Sequence, residues 1–507
     1  YYSVLATSLS TFIFHSPAYA ESLEIDNNFT PSNKYENKNF DKVDFQNKEL
    51  KEKSVTINFA GNNTIKELTS AVLLEDLKAQ LGVDVSGNNY EITRNKWLEY
   101  FKDKGYANKP EDFFNDIPKL SIKGDNGSTI NIDSINNKGS MSIKADTLNV
   151  TGDIKTSNGY LNIYFNKGTL GAKGHTIGFE KTDLVIDDYF WRYLSITTNG
   201  GTIASDISDE NASGGIQISV NNGGEISGNI WAKDRNAGVA DGVLGIYEDM
   251  DYHDNCILNV HQTALGTYGP AIYLNNNSKM TGDLSVGQSK YATLSMERKS
   301  LMTGKITLAE SDERGRGGTI SLVLDDSEIT SDIKVGKNSE AKIDARESSI
   351  VSGEITAKGE GASIEISSYK YDPTISPVAT SRITGQITAS DKAYIRIHGQ
   401  KENSLTIEKG IINNGGTIAI VNLNDRYSGQ NINGISFKKA YENSGYHFKN
   451  TNSGTIAIDG WDFKTNGRVI IDTNGDNKNL EWEYKYKANA DSRRRTRKKP
   501  RIKAGTY

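Results

Sequence analysis

The stretch SLMTGKITL (residues 300–308) decides the fold, because close copies of its nine residues recur along the chain. SKMTGDLSV starts at Ser278, SEITSDIKV at Ser327, SIVSGEITA at Ser349 and SRITGQITA at Ser381. Successive copies start 22, 27, 22 and 32 residues apart. A repeat of this period predicts a solenoid of stacked coils rather than a set of compact domains.

Each copy has the pattern of a strand with one buried face, since its apolar residues alternate with polar ones. The fifth residue is glycine in most copies, and it marks a corner at which a side chain would be in the way. A second strand follows each copy, as in GTISLVL (318–324). Looser copies are GEISGNIWA at Gly224 and LNVTGDIKT, which starts at Leu148.

These patterns predict an all-β chain that folds as a right-handed parallel β-helix over residues 119–490. At about 22 residues per coil we expect roughly 15 to 17 coils and a rod of about 75 Å, with longer repeats forming loops at one corner. An antiparallel sandwich would need hairpins with two-residue turns, and the regular glycine corners argue against it. The parallel arrangement predicts one interior column of equivalent residues, namely Leu284, Ile306, Ile333, Ile355 and Ile387.

Composition excludes several classes of protein. The chain has 507 residues, a net charge of -5 and only 36% hydrophobic residues, which is too few for a multi-span membrane protein. Its balanced charge and frequent Tyr, Ile and Val exclude a fully disordered chain. The single cysteine, Cys256, excludes an internal disulfide framework.

The two ends differ from the repeats. Residues 1–20 combine an apolar stretch with the small-x-small site Ala18-Tyr19-Ala20, which is typical of a truncated secretory signal peptide. Residues 21–60 are interpreted as a polar linker. Residues 491–507 are interpreted as a basic disordered tail that adds nothing to the fold and binds no nucleic acid, because no aromatic residues are interleaved with its charges.

Residues 61–118 are predicted to form a helical insert or cap. In TIKELTSAVLLEDLKAQL (64–81), Ile65, Leu68, Val72 and Leu73 recur at helical spacing, and Gly82 can end the helix. A second helix is predicted in RNKWLEYFKDK (94–104).

The glycine corners, together with strand starts such as GGTI at Gly200 and Gly317 and GGEI at Gly223, resemble the repeats of autotransporter passenger domains over about residues 120–470. That resemblance implies a bacterial protein exported through the periplasm and then secreted or displayed at the cell surface. It also implies an outer-membrane translocator barrel as partner. No series of barrel strands follows the repeats, so the chain is interpreted as a passenger without its barrel.

Motifs for catalysis are weak. Gly124-Asp125-Asn126-Gly127-Ser128 is one residue away from a serine-protease motif, but Asn126 stands at the nucleophile position, so a turn is the better interpretation. Asp187-Asp188 and Arg501-Ile502-Lys503 match only fragments of a polygalacturonase pattern. No catalytic residue is therefore predicted.

Motifs for metal binding are weak as well. His253, Cys256 and His261 lie in an acidic segment without the spacing of a zinc module. Asp472, Asn474, Asp476 and Glu483 resemble a calcium loop, but Asn477 replaces the glycine that the sharp turn requires, and two strands around a turn are the better interpretation. No metal ligand, cofactor-binding residue or cofactor is predicted.

Three functions remain open. The first is an adhesin or host-contact protein that binds surface glycans or proteins along a rigid solenoid, with loops at about 309–318 and 368–380 as candidate contacts. The second is a β-helical polysaccharide-degrading enzyme, which would have a groove of convergent carboxylates on one face. The third is a structural stalk that displays the insert at 64–115. A flat Ser/Thr/Asn face would favour the adhesin.

Overall fold

The computed structural model describes the chain from Glu21 to Asp472 with gaps, and within the described ranges it contains strands and no helix. No helix suited to crossing a membrane occurs among them. The described residues are 21–25, 34–46, 54–70, 119–156, 160–179, 192–209, 214–232, 268–288, 290–310, 317–369, 379–399, 403–409, 411–422, 435–439, 446–450, 455–458 and 468–472.

The strands wind into a parallel β-helix with three faces. Each coil supplies one strand to the first face and then bends through the second and third faces before the next coil begins. Fifteen described strands stack on the first face, which corresponds to roughly 70 Å at ~4.8 Å per coil. They are β2 (Tyr35–Glu36), β4 (Val55–Ala60), β6 (Lys119–Gly124), the first half of β8 (Ser140–Val150), β10 (Tyr160–Lys167), β13 (Arg192–Thr198), β16 (Gly214–Val220), β19 (Tyr268–Asn275), β22 (Tyr291–Glu297), β24 (Thr319–Asp325), β26 (Glu340–Arg346), β29 (Ser363–Tyr369), β32 (Tyr394–Gly399), β35 (Thr417–Asn422) and β39 (Arg468–Asp472).

The second and third faces are narrower, and some strands bend across both of them. The bent strands are β1 (Glu21–Ile25), β3 (Asn39–Phe45), β5 (Asn62–Ser70), β7 (Thr129–Asn137), β23 (Leu301–Leu308) and β25 (Glu328–Val335). The second face also holds β11 (Thr169–Leu170), β14 (Thr202–Ile203), β17 (Glu225–Ser227), β20 (Lys279–Thr281), β27 (Ile350–Ser352), β30 (Ala379–Ile383), β33 (Asn403–Ile407) and β38 (Thr455–Ile458). The third face also holds β9 (Ile154–Thr156), β12 (Thr176–Phe179), β15 (Asp206–Asp209), β18 (Ile230–Ala232), β21 (Leu284–Val286), β28 (Ile355–Lys358), β31 (Ile387–Ser390) and β34 (Ile411–Asn414).

One excursion leaves the parallel pattern near the end of the described chain. Strands β36 (Ile435–Lys439) and β37 (Tyr446–Asn450) form an antiparallel pair, and β37 continues antiparallel onto β38. The described strand pairings between successive coils are otherwise parallel.

The predicted interior column is confirmed. Leu284 pairs with Ile306, and the same register continues through Ile333 and Ile355 to Ile387. All five side chains have zero exposed surface. Burying each aliphatic side chain stabilises the fold by about 2 kcal/mol, and one continuous core extends from Ile25 to Ile418.

The N-terminal region corrects two predictions. Residues 21–60 are not simply a linker, because β1 to β4 lie there, and residues 62–70 form strand β5 rather than the start of a helix. Ile65 and Leu68 are three residues apart and both point inward because β5 turns a corner between them. Residues 1–20, 71–118 and 491–507 lie outside the described residues.

Two further expectations differ from the structure. Between residues 119 and 472 the described first face has thirteen strands, fewer than the 15 to 17 coils expected, because single coils contain long insertions: Ile272 stacks on Ile218, 54 residues earlier. The insertions also leave from two corners rather than one, namely the corner between the third and first faces and the corner between the first and second faces. The right-handed sense of the coil stays a prediction.

Candidate binding surface

From β1 to β36, the long connections between the described strands border the first face. We name the boundary between the third and first faces edge A, and the boundary between the first and second faces edge B. The connections at edge A include residues 26–33, 47–53, 71–118, 180–191, 233–267 and 311–316, and those at edge B include 370–378, 400–402 and 423–434.

The third corner, between the second and third faces, carries no such insertions. From β9 to β34, no described coil has more than five residues between its second-face and third-face segments. Glycines explain the limit: a side chain on Gly304 would strike the carbonyl oxygen of Gly282 in the coil below. Binding and catalytic residues often lie in connections whose length varies from coil to coil. Because such connections border the first face, this face is the candidate functional surface.

The two candidate loops of the sequence analysis lie on opposite sides of this face. The segment 309–318 joins β23 to β24 at edge A, and the segment 368–380 joins β29 to β30 at edge B. The central parts of both, 311–316 and 370–378, lie outside the described residues.

Up to three outward positions of each first-face strand from β10 to β24 carry no charge, and we name these positions the uncharged section. The outward position next to edge B is charged in the last two of these strands, with Glu297 in β22 and Asp325 in β24. At the chain average of 24% charged residues, about four of its seventeen positions would be charged, yet none is. Its outward residues are Tyr160, Asn162, Tyr164, Tyr193, Ser195, Thr197, Gly215, Gln217, Ser219, Ala271, Tyr273, Tyr291, Thr293, Ser295, Thr319, Ser321 and Val323.

Five of the seventeen positions of the uncharged section are tyrosines. The rings of Tyr160 and Tyr193 meet edge to face with centroids 6.3 Å apart, and the Tyr193 hydroxyl donates a hydrogen bond to Gln217 Oε1. Burial raises the pKa of Tyr160, Tyr193 and Tyr273, and the nearby phenols of Tyr193 and Tyr291 raise the pKa of Tyr273 further. These hydroxyls therefore stay neutral into alkaline solution.

One row of the uncharged section is open to solvent along its whole length, and we name it the contact row. It consists of Tyr164, Thr197, Ser219, Tyr273, Ser295 and Val323, which pair in register and are all partly exposed. The parallel row is interrupted, because Ala271 and Thr293 are buried. Lys144 precedes the contact row and Asp344 follows it, so charged residues mark both of its ends.

Charged residues occupy the first face from β26 to β32, and they form pairs. Lys342 Nζ lies 3.5 Å from Asp344 Oδ2, and the Ser367 hydroxyl donates to the same buried carboxylate. The Arg396 guanidinium lies 3.9 Å from Glu365 Oε1. Because Asp344 and Glu365 each face a cation, they do not form the free convergent carboxylates that hydrolysis requires.

The pKa of the Asp325 carboxyl, on the first face, is raised above its ordinary value. Burial is the main cause, and the neighbouring Asp326 carboxylate adds to it, whereas Arg346 and Arg298 oppose the shift. Asp325 ends β24 at edge B, beside the basic side chains that partly neutralise it. This is the environment of a structural ion cluster at a corner.

The weak motifs have mixed outcomes. Gly124–Ser128 is confirmed as a turn: the Ser128 amide and hydroxyl both donate to the Asp125 carbonyl, at 3.0 and 2.6 Å. Asp472 ends β39. The other members of the calcium-like, histidine–cysteine and polygalacturonase-like sets lie outside the described residues, namely Asn474, Asp476, Glu483, His253, Cys256, His261, Asp187, Asp188 and Arg501–Lys503. Within the described ranges, no group of three His, Cys, Asp or Glu residues is placed to hold a metal ion.

Sequence reasoning missed the uncharged section, although a signal for it is visible. The strands YLNIYF, YLSITT and YATLSM carry tyrosine, hydroxyl or amide residues at every second position. Only the register of the strands shows that these positions share one face. Comparison with known proteins adds no relative: no family model, curated protein or solved structure matches the chain.

Proposed function

We propose that the chain is the passenger of an autotransporter and acts outside the cell as an adhesin or host-contact protein. The observation that carries this proposal is the uncharged section of the first face, which is bordered at edge A by the insertions 180–191, 233–267 and 311–316. A row of stacked strands presents the same kinds of groups at regular intervals, which suits weak multivalent contact with a surface. The resemblance of the repeats to passenger domains supports the proposed location outside the cell.

The alternative of a polysaccharide-degrading enzyme is less well supported. Its groove of convergent carboxylates would have to lie on an outer face, and Asp344 and Glu365 on the charged coils are held in ion pairs. The stalk remains a further alternative, in which the first face would be inert and the insert, shortened to 71–118 by strand β5, would make the contact.

A bead assay tests the proposal with the full chain. Beads coated with the folded chain should attach to bacterial or epithelial cells more than beads coated with the heat-unfolded chain. The same preparation should release no new reducing ends from soluble polysaccharides. Release of reducing ends without attachment would contradict the adhesin and support the enzyme.

Deleting residues 71–118 separates the adhesin from the stalk. The adhesin predicts that the deletion variant, if its circular dichroism remains that of a β-protein, still attaches. Loss of attachment in a folded variant would contradict the first face as the contact surface.

A further inference from the structure

We propose that the contact row binds a neutral polysaccharide, with the glycan chain lying along the solenoid axis. This inference rests on the proposed adhesin function and names its class of ligand. The row extends over six strands, or about 24 Å, which gives room for several sugar units. Its residues are Tyr164, Thr197, Ser219, Tyr273, Ser295 and Val323.

The absence of charge in this row selects a neutral ligand. An anionic glycan would gain no ion pair at any position between Lys144 and Asp344 and would lose hydration of its charges. A protein partner meets the same difficulty, because about a quarter of typical protein residues are charged and some would be desolvated without partners. A neutral glycan has no charge to desolvate.

The groups along the row match sugar chemistry. The hydroxyls of Thr197, Ser219 and Ser295 can each donate and accept hydrogen bonds, as sugar hydroxyls do. The ring of Tyr273 offers an apolar face for the C–H side of a sugar ring and keeps a hydroxyl for water or ligand. The raised pKa of Tyr273 keeps that hydroxyl protonated in neutral and mildly alkaline solution. At the end of the row, Lys144 Nζ lies 5.5 Å from the centroid of the Tyr164 ring, and Asn199 Nδ2 donates to the Tyr164 hydroxyl at 3.3 Å.

The second face of the same coils provides the contrast. Its outward positions include Glu225, Lys279 and Glu328, so charge is absent from the uncharged section and not from the outer surface of these coils as a whole. Thr281 and Thr330 lie two coils apart on that second face and are exposed. They match Ser219 and Ser295, which lie two coils apart in the contact row.

The test is affinity electrophoresis of the full chain in gels that contain one soluble polysaccharide. Dextran, glucomannan and xyloglucan serve as neutral probes, and alginate and heparin as anionic probes. At least one neutral probe should retard the chain, and the retardation should persist between about 0.1 and 1 M salt because no ion pair contributes. Retardation by anionic probes alone, or by none, would overturn the inference.

Variants locate the binding. Ser219→Lys with Ser295→Lys, and separately Tyr273→Ala, should weaken binding of the neutral probe by about tenfold or more, whereas Thr281→Lys with Thr330→Lys should leave it unchanged. Equal melting curves for the three variants would show that the fold is retained. Equal weakening by the second-face variant would place binding elsewhere.

The bead assay separates the proposed ligand class from the proposed adhesin function. Attachment of beads without binding of any neutral polysaccharide overturns the ligand class and leaves the adhesin standing. If the beads do not attach to cells and no neutral polysaccharide binds, the adhesin function is overturned as well.

Discussion

At the residue scale, the first serine of the nine-residue repeat closes the corner at edge B. The hydroxyl of Ser300 donates to the Glu297 carbonyl at 2.7 Å, and that of Ser349 donates to the Arg346 carbonyl at 2.6 Å. Both side chains are buried. The Arg346 carbonyl also accepts the Ser349 amide at 3.2 Å, so the amide and the hydroxyl of one serine together hold this turn. A short hydroxyl side chain that bonds to nearby backbone in this way suits the first position of the repeat.

The glycine corner gives the first prediction. Gly304 has a φ of +149°, and its missing Cβ makes room for the Gly282 carbonyl of the coil below. Gly304→Ala should therefore lower the free energy of unfolding by about 2 to 4 kcal/mol through strain and overpacking. Urea unfolding followed by circular dichroism measures the change.

The control for this substitution lies in the next coil. Ser331 pairs with Gly304, so this corner already accommodates a side chain there. Its buried hydroxyl has no hydrogen-bond partner among the described residues. Ser331→Gly should therefore change the free energy of unfolding by no more than about 1 kcal/mol. A Gly304→Ala variant as stable as Ser331→Gly would refute the close contact between coils.

A stabilising substitution is predicted at edge B. Lys299 has a φ of +63°, in the left-handed region that disfavours most side chains. The equivalent residue of the preceding coil is Asn277, at +61°, and asparagine tolerates this region better. Lys299→Asn should raise the free energy of unfolding by about 0.5 kcal/mol in urea titration. Lys334→Asn, on an extended strand, is the control and should not raise the free energy of unfolding. An equal increase in both variants would mean that loss of the positive charge, and not the backbone conformation, is the cause.

At the element scale, the third-face column gives a sharp test of register. Ile355 is fully buried between Ile333 and Ile387, so Ile355→Asp should place an unpaired charge in the core and cost at least about 3 kcal/mol. Thr356→Asp changes the next residue, which points outward, and should cost less than about 0.5 kcal/mol. The urea midpoints of the two variants should separate clearly. Equal midpoints would mean that the strand faces are wrongly assigned.

The tyrosine strands predict loss of stability in alkali. Burial raises the pKa of Tyr160, Tyr193 and Tyr273 above the ordinary value of 10.0 in the folded chain. Above about pH 10 the unfolded chain therefore loses these protons while the folded chain keeps them, and stability falls as pH rises toward the folded pKa values. The triple Phe variant should lose less stability between about pH 9 and 11 in urea titrations.

The pH dependence is the quantity to compare in that experiment. Tyr193→Phe also removes the hydrogen bond to Gln217 and so lowers stability at every pH. Lysine titration is common to both proteins. Parallel curves for the parent and the triple variant would contradict the burial of these phenols.

The strands also show how far the sequence can be read. The repeat gave the period, the parallel stacking and the column from Leu284 to Ile387, because alternation and glycine corners are local signals. Bent strands hid the N-terminal coils, because a corner inside β5 places Ile65 and Leu68 at helix-like spacing. The uncharged section could not be predicted residue by residue, since it arises only when strands as distant as β10 and β24 come into register.

At the scale of the whole molecule, the three corners of the coil differ in whether they carry insertions, and this difference distinguishes the three faces. In the described coils from β9 to β34, the corner between the second and third faces is short and glycine backbones lie close together there, whereas the insertions occur at edges A and B. Both edges border the first face, whose uncharged section contrasts with the charged second face. The arrangement gives a stiff rod with one chemically distinct surface along it.

The most direct test of this account is hydroxyl-radical footprinting of the full chain, free and bound to a surface to which it adheres. Oxidation of Tyr164 and Tyr273 in the contact row should fall on binding. Leu301 and Ile350 are partly exposed on the second face and should be oxidised equally in both states. Protection of Leu301 and Ile350 with unchanged oxidation of Tyr164 and Tyr273 would contradict the first face as the surface of contact.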